Sequence, residues 1–199
     1  RFGLCFTSKY ANSTLALVKY KETEEELPES SYPELHLEYS MDAENWADVV
    51  AGDVTTVMSS DVRIWFRAKP SEFQRGFTNY VTKIPVIDPD TGDPILDPST
   101  GDPVTKDINA FCGYKFEMTG DWYCHGDITD LVSVNIAEYV TRWTYRRLFD
   151  GCAGLLCIPD FLFGYDPAQY GYNLMFRGCT GLTGTPRLPR IPTIPMMGI

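Results

Sequence analysis

Apolar and polar residues alternate along several short stretches of the chain. In Leu35-His36-Leu37-Glu38-Tyr39, a period of two puts Leu35, Leu37 and Tyr39 on one face. Val62, Ile64, Phe66 and Ala68 repeat the pattern, with Arg63 and Arg67 opposite. Tyr114, Phe116 and Met118 alternate with Lys115 and Glu117. Phe2, Leu4 and Phe6 predict a first short strand, and Leu15 to Lys21 a second. Turn signals separate them at Asn12-Ser13, Met41 to Asn45, Gly52-Asp53 and Ser59-Ser60-Asp61. Short strands at this spacing predict an antiparallel β-sandwich-like domain over residues 1–119. Residues 22–34 read as a loop, because Glu24, Glu25 and Glu26 repel and Pro28 and Pro33 remove helix donors. Beyond Gly120 the alternation stops. Ile128 to Tyr139 predicts a short helix capped by Asp127 or Thr129.

Two internal repeats break the strand pattern. Ile87-Asp88-Pro89-Asp90-Thr91-Gly92-Asp93-Pro94-Ile95 is followed by Leu96-Asp97-Pro98-Ser99-Thr100-Gly101-Asp102-Pro103-Val104. Each unit is an Asp-Pro-x-x-Gly turn, so 87–104 reads as a double-turn loop inserted between two strands. Asp88, Asp90, Asp93, Asp97 and Asp102 are hard oxygen donors and weak calcium candidates, without the spacing of a twelve-residue calcium loop. The second repeat has a period of 27. Tyr145 to Pro159 lines up with Tyr172 to Pro186, matching Tyr, Phe, Gly, Cys, Gly, Leu and Pro. Such a period predicts stacked units that cover one another's apolar faces. Phe149 then stacks on Phe176, Cys152 on Cys179 and Leu155 on Leu182. The paired cysteines read as an inward-facing column of buried thiols, with a disulfide ladder as the alternative.

Formal net charge is −10, unevenly placed. Residues 141–199 hold six Arg and three Asp, which leaves −13 for residues 1–140. So acidic a front argues against nucleic acid as the main ligand. The asymmetry reads either as docking on an oppositely charged partner or as Arg side chains lying over aromatics. No apolar run reaches the length of a membrane-spanning helix. The chain opens at Arg1 without a charged segment leading into an apolar one, so a leader was removed or a longer product is shown in part. Six Cys without a C-x-x-C pair, and His36 far from Cys124-His125, do not make a zinc pattern. No nucleophile-elbow, phosphate-loop or dinucleotide motif is present, and no cofactor is implied. Asp121 and Asp127 flank Trp122-Tyr123 in the manner of a sugar-cleaving cleft, but read equally as a polar strand end. Trp46, Trp65, Trp122 and Trp143 belong to the core or to a sugar-binding face.

Leu174-Met175-Phe176-Arg177-Gly178-Cys179-Thr180-Gly181-Leu182-Thr183 resembles the signature of BspA-type leucine-rich-like repeats. These occur in surface proteins of gut Bacteroides and relatives, and in phages that infect them. Upstream, Cys5-Phe6-Thr7, Ser13 to Leu17, Leu37 to Ser40 with Trp46, Trp65 to Ala68 and Phe116 to Gly120 are similar to segments of the same proteins. The resemblance implies a β-rich leading module followed by repeats, and brings no catalytic residues.

The expected protein is therefore mainly β. An antiparallel sandwich-like domain (1–119) precedes a short helix and a two-repeat leucine-rich-like β-solenoid segment (120–186), then a Pro-rich extended tail (187–199). The insertion of two nine-residue units and the tail depart from the family pattern. Arg187, Leu188, Pro189, Arg190, Ile191, Pro192, Ile194 and Pro195 are the expected contact residues for a protein partner or for self-assembly. Function is expected to be non-catalytic display for adhesion to a glycan or host protein, or for assembly. The expected place is extracellular, on a cell or virion surface, and the alternative is a phage head or tail component.

Overall fold

The computed structural model describes residues 3–133, 142–159 and 171–184. Among the described residues nine strands form two antiparallel sheets. They are β1 (Leu4–Ser8), β2 (Thr14–Lys21), β3 (Leu37–Ser40), β4 (Ala47–Asp48), β5 (Val54–Thr56), β6 (Arg63–Ala68), β7 (Thr78–Pro85), β8 (Thr105–Thr119) and β9 (Trp122–His125). The first sheet runs β4-β3-β6-β1-β9 and the second β5-β2-β8-β7. The alternation read from the sequence sets their faces. Leu4 and Phe6 of β1, Ile64 and Phe66 of β6, and Leu37 of β3 point inward from one sheet. Leu15 and Leu17 of β2, with Tyr114 and Phe116 of β8, point inward from the other. Phe6, Phe66 and Phe116 meet between the sheets with ring centroids 4.9–5.8 Å apart. Edge-on and tilted contacts of this kind are favoured by the ring quadrupole.

The sandwich extends past the boundary expected at residue 119. Trp122–His125 pairs with β1 in the register Cys5↔His125 and Thr7↔Tyr123, so β9 completes the first sheet. The short helix expected over 128–139 does not start as one over 128–133, and residues 134–139 lie outside the described residues. Ile128–Leu131 is a single 3-10 turn, and Val132 is already extended at φ −124, ψ 156. Asp127 is the cap, accepting from the Thr129 amide, as read. Buried Ile128 and Leu131 anchor that turn under the sandwich, and a longer helix would swing them out of the core. Strand β7 carried no alternation signal. Its residues lie at a sheet edge where half of the side chains are exposed and only Thr78 and Ile84 are buried, so neither face demands an apolar period.

The 87–104 insertion folds as two successive hairpin turns between β7 and β8, bridged at Ile87–Pro94 and Leu96–Pro103. Three residues nine apart close them at the base. Val86 N–H donates to the Val104 carbonyl (2.8 Å), Val104 to Ile95 (2.8 Å) and Ile95 to Val86 (2.9 Å). This ring of backbone bonds explains why the repeat unit is nine residues long.

Residues 142–159 and 171–184 are turn-rich segments laid on one end of the sandwich. Strand β7 covers the edge of β8 only as far as Gly113. Past that point Phe116 N–H donates to the Leu148 carbonyl (2.7 Å), so the first turn segment continues the edge that β7 leaves. Phe149 stacks flat on Phe116 at 5.5 Å, and Phe176 on Phe149 at 5.5 Å. Replacing Phe149, which is fully buried, by Ala removes the middle ring. The expected cost is about 4 kcal/mol in urea unfolding, with sheet and aromatic signals moving together in one transition.

Candidate functional site

Three columns of side chains run from the sandwich through both turn segments. The first is Phe116, Phe149 and Phe176. The second is Phe77, Tyr145 and Tyr172, with Tyr145 and Tyr172 stacked at 5.4 Å. In the third, Trp122 forms a parallel bridge with Leu155, and Leu182 packs on the same core. Backbone bonds join the segments rung by rung: Tyr145 N–H to Gly171 (2.8 Å), Arg147 to Asn173 (3.0 Å), Phe149 to Met175 (3.0 Å) and Gly151 to Arg177 (2.7 Å). Of the residues read as repeat core, Phe149 and Phe176 stack on each other, and Cys152, Leu155, Cys179 and Leu182 lie in or against the same core. Sequence periodicity missed that the sandwich supplies the starting layer through Phe77, Phe116 and Trp122. Those residues share side-chain position with the repeat but not its spacing.

The repeated Gly and Cys have geometric causes. A Cβ on Gly154 would sit 1.9 Å from the Gly120 carbonyl oxygen, and one on Gly181 2.5 Å from that of Ala153. Only glycine lets one rung approach the one below so closely. All six cysteines are free thiols, so the disulfide-ladder alternative does not hold. Cys152 Sγ donates to the Phe116 carbonyl at 3.2 Å and Cys179 Sγ to the Phe149 carbonyl at 3.0 Å. Each thiol therefore bonds back to the Phe one layer below, which requires it to stay protonated. Burial pushes Cys179 up to about 11 from 9.0. The Tyr20 hydroxyl, 2.7 Å from Thr78 Oγ1, is pushed by burial up to about 12 from 10.0.

Charge clamps the segments to the sandwich. Glu22, just past β2, accepts from Arg146 Nη1 at 2.6 Å and also pairs with Arg147. Asp150 accepts from Arg147 Nη1 (2.6 Å) and from Arg177 Nε (2.8 Å) and Nη2 (2.7 Å). Burial alone would raise the Asp150 carboxyl, but Arg177 and Arg147 outweigh it and hold it below its ordinary value. Arg146 also lies over Phe111 at 4.1 Å, and Arg147 over Tyr20 at 5.9 Å. Among the described residues, Arg146, Arg147 and Arg177 of the C-terminal part are thus used inside the molecule, on aromatics and on two carboxylates.

Other candidates lie apart. Asp88 Oδ1 closes its turn on the Asp90 amide, and Asp97 Oδ1 on the Ser99 amide, each at 2.8 Å. Among the described residues no three acidic, His or Cys side chains converge, so Asp88, Asp90, Asp93, Asp97 and Asp102 are not drawn into one site. Asp121 pairs with Lys9 at 3.6 Å while Asp127 caps Thr129, so the two carboxyls serve separate structural roles. Trp122 is core; Trp46 lies on the surface beneath Arg67 at 3.7 Å, and Trp143 packs beside Tyr80 and Phe111. The eight tail residues from Arg187 to Pro195 lie outside the described residues. No protein-family model, characterised protein or solved structure matches this chain.

Two outcomes are expected. Asp150→Asn removes a 5% exposed carboxylate that joins both segments and should cost about 2 kcal/mol of stability, measured by urea unfolding. The Cys179 and Tyr20 values are raised on folding, so their contribution is complete below about pH 9 and lost as pH climbs through about 11 and 12. The melting temperature should therefore be flat from neutral pH to about 8.5 and fall above 9, with a shallower fall in Cys179→Ala.

Proposed function

We propose that the chain is a non-catalytic structural and binding module displayed on a cell or virion surface. The observation that carries this reading is the continuity of the three side-chain columns from sandwich into turn segments. Such columns suit a body that lengthens by adding similar layers, which is how a leucine-rich-like solenoid on a β-domain would be built. The likeness of Phe-x-Gly-Cys-x-Gly-Leu to the BspA-type unit supports the same assignment and an extracellular place. So does the structural use of the chemically capable side chains: thiols bond back to the layer below, and Asp121, Asp127, Asp150 and Glu22 brace or cap.

Assembly through residues 187–199 is the specific form proposed for the partner contact. That segment follows directly on the last turn segment, where Phe176 and Leu182 are only partly buried. Its alternation of Arg, Pro and aliphatic residues suits an extended contact with a protein or a second copy. Deleting 187–199 should leave the melting temperature within a few degrees and abolish incorporation into the assembly or surface layer of the producing cell or virion. Incorporation unchanged by the deletion contradicts the assignment.

A further inference from the structure

The outer face of the first sheet carries a trough whose walls are rings and whose floor is small. Period-two alternation puts Leu4 and Phe6 inward, so Cys5 and Thr7 face out along the middle of β1. Antiparallel register then places Trp65 opposite Cys5 and Arg63 opposite Thr7 on β6. On the other side, β9 sets His125 opposite Cys5 and Tyr123 opposite Thr7. The flanking strands β6 and β9 stand roughly 10 Å apart across β1. Large side chains therefore rise on both sides of a floor made by a thiol and a hydroxyl. The result is an open cavity of about 440 Å³ lined by Gly3, Cys5, Thr7, Arg63, Trp65, Tyr123, His125 and Gly126. Tyr123 and His125 lie nearly parallel, 19° between planes at 6.4 Å, and form one continuous wall.

Charge narrows the class of occupant. The chain carries −10, yet none of the residues lining this trough is acidic, and Arg63 stands at its rim. An anionic ligand gains from that arrangement. Two copies packed face to face here would bury both Arg63 guanidiniums with no acidic residue of either trough to pair them, which disfavours self-docking. An added β-strand is excluded by geometry, because a sheet face offers side chains and not ladder bonds. Facing aromatic walls with a polar floor suit a flat ring whose two sides are apolar and whose rim is polar. Arg at the rim suits a carboxylate, which its guanidinium grips through two parallel bonds.

We propose that this trough binds an acidic saccharide. One sugar ring lies between Trp65 and the Tyr123–His125 wall, hydroxyls meet Thr7 Oγ1, and a carboxylate meets Arg63. The proposal deepens the display function and rests on that reading, since it names what the displayed face holds.

The test is binding of the isolated full chain to galacturonate trimer, sialyllactose and a glucuronate-containing disaccharide, each against its neutral counterpart, by calorimetry and ligand-observed NMR. At least one acidic probe should bind saturably, with its neutral counterpart about tenfold weaker. Tyr123→Ala and Trp65→Ala should each weaken binding about tenfold, and Arg63→Gln should erase the preference for the acid while leaving the neutral sugar unchanged. Tyr123 and Arg63 are exposed, and unchanged near-UV circular dichroism of those variants reports an intact fold. Absence of binding by all three acidic probes overturns the proposal, as does binding that the three variants leave unchanged. Equal binding of acid and neutral forms overturns the acidic assignment, and self-association lost in Trp65→Ala would assign the face to a second copy instead. Because this binding is read on the isolated chain, its failure is distinct from a failure of incorporation into an assembly.

Discussion

Phe116, Phe149 and Phe176 carry the architecture. Phe116 belongs to β8 and touches Phe6 and Phe66 of the opposite sheet, so it is at once the centre of the sandwich and the base of a stack. The turn segments have little regular secondary structure of their own and few residues with which to build a separate core. Their buried rings, thiols and leucines share one hydrophobic core with the sandwich. Stability of these segments is therefore borrowed from the sandwich, in keeping with the rule that a repeat unit cannot bury its apolar face alone.

Close approach of the layers sets the rest. Glycine is needed where one rung's carbonyl points at the next rung's Cα, at Gly154 and Gly181. Cysteine is suited to the neighbouring position because its thiol is small enough to be buried and still donates to a carbonyl one layer down. Ring columns at 5.4–5.5 Å set the vertical spacing for both. The Glu22–Arg146–Arg147–Asp150–Arg177 network then braces the edge of the stack with alternating charge. Its members come from a sandwich loop and from both turn segments, so it resists sliding of one layer over another.

Much of this was legible in the residue pattern, for definite reasons. Strands with one face buried announce themselves by period two, as at Leu35 to Tyr39 and Val62 to Ala68. The 27-residue period marked Phe149 and Phe176, which stack, and placed Cys and Leu positions that fall in the same core. Strand β7 was silent because an exposed edge has no inward period to show. Strand β9 was masked by a run of Trp, Tyr, Cys and His that reads as neither alternation nor helix until β1 pairs with it. Likewise the start of the helix reading, at 128–131, followed apolar spacing that the structure uses for a single capped turn. The trough on the first sheet depends on cross-strand register between residues more than fifty positions apart, so no local pattern could reveal it. Finally, the charge asymmetry was visible, but its use inside the molecule required contacts from Glu22 to Arg146 and from Asp150 to Arg177.

Native-state hydrogen exchange tests directly whether sandwich and turn segments form one cooperative body. The amides of Phe149 and Gly151, which bond across the two turn segments, should exchange with the same opening free energy and the same denaturant dependence as Phe6 and Ile64, paired in the first sheet. Exchange of the turn amides through a separate low-energy opening, with the sheet amides still fully protected, would contradict the account.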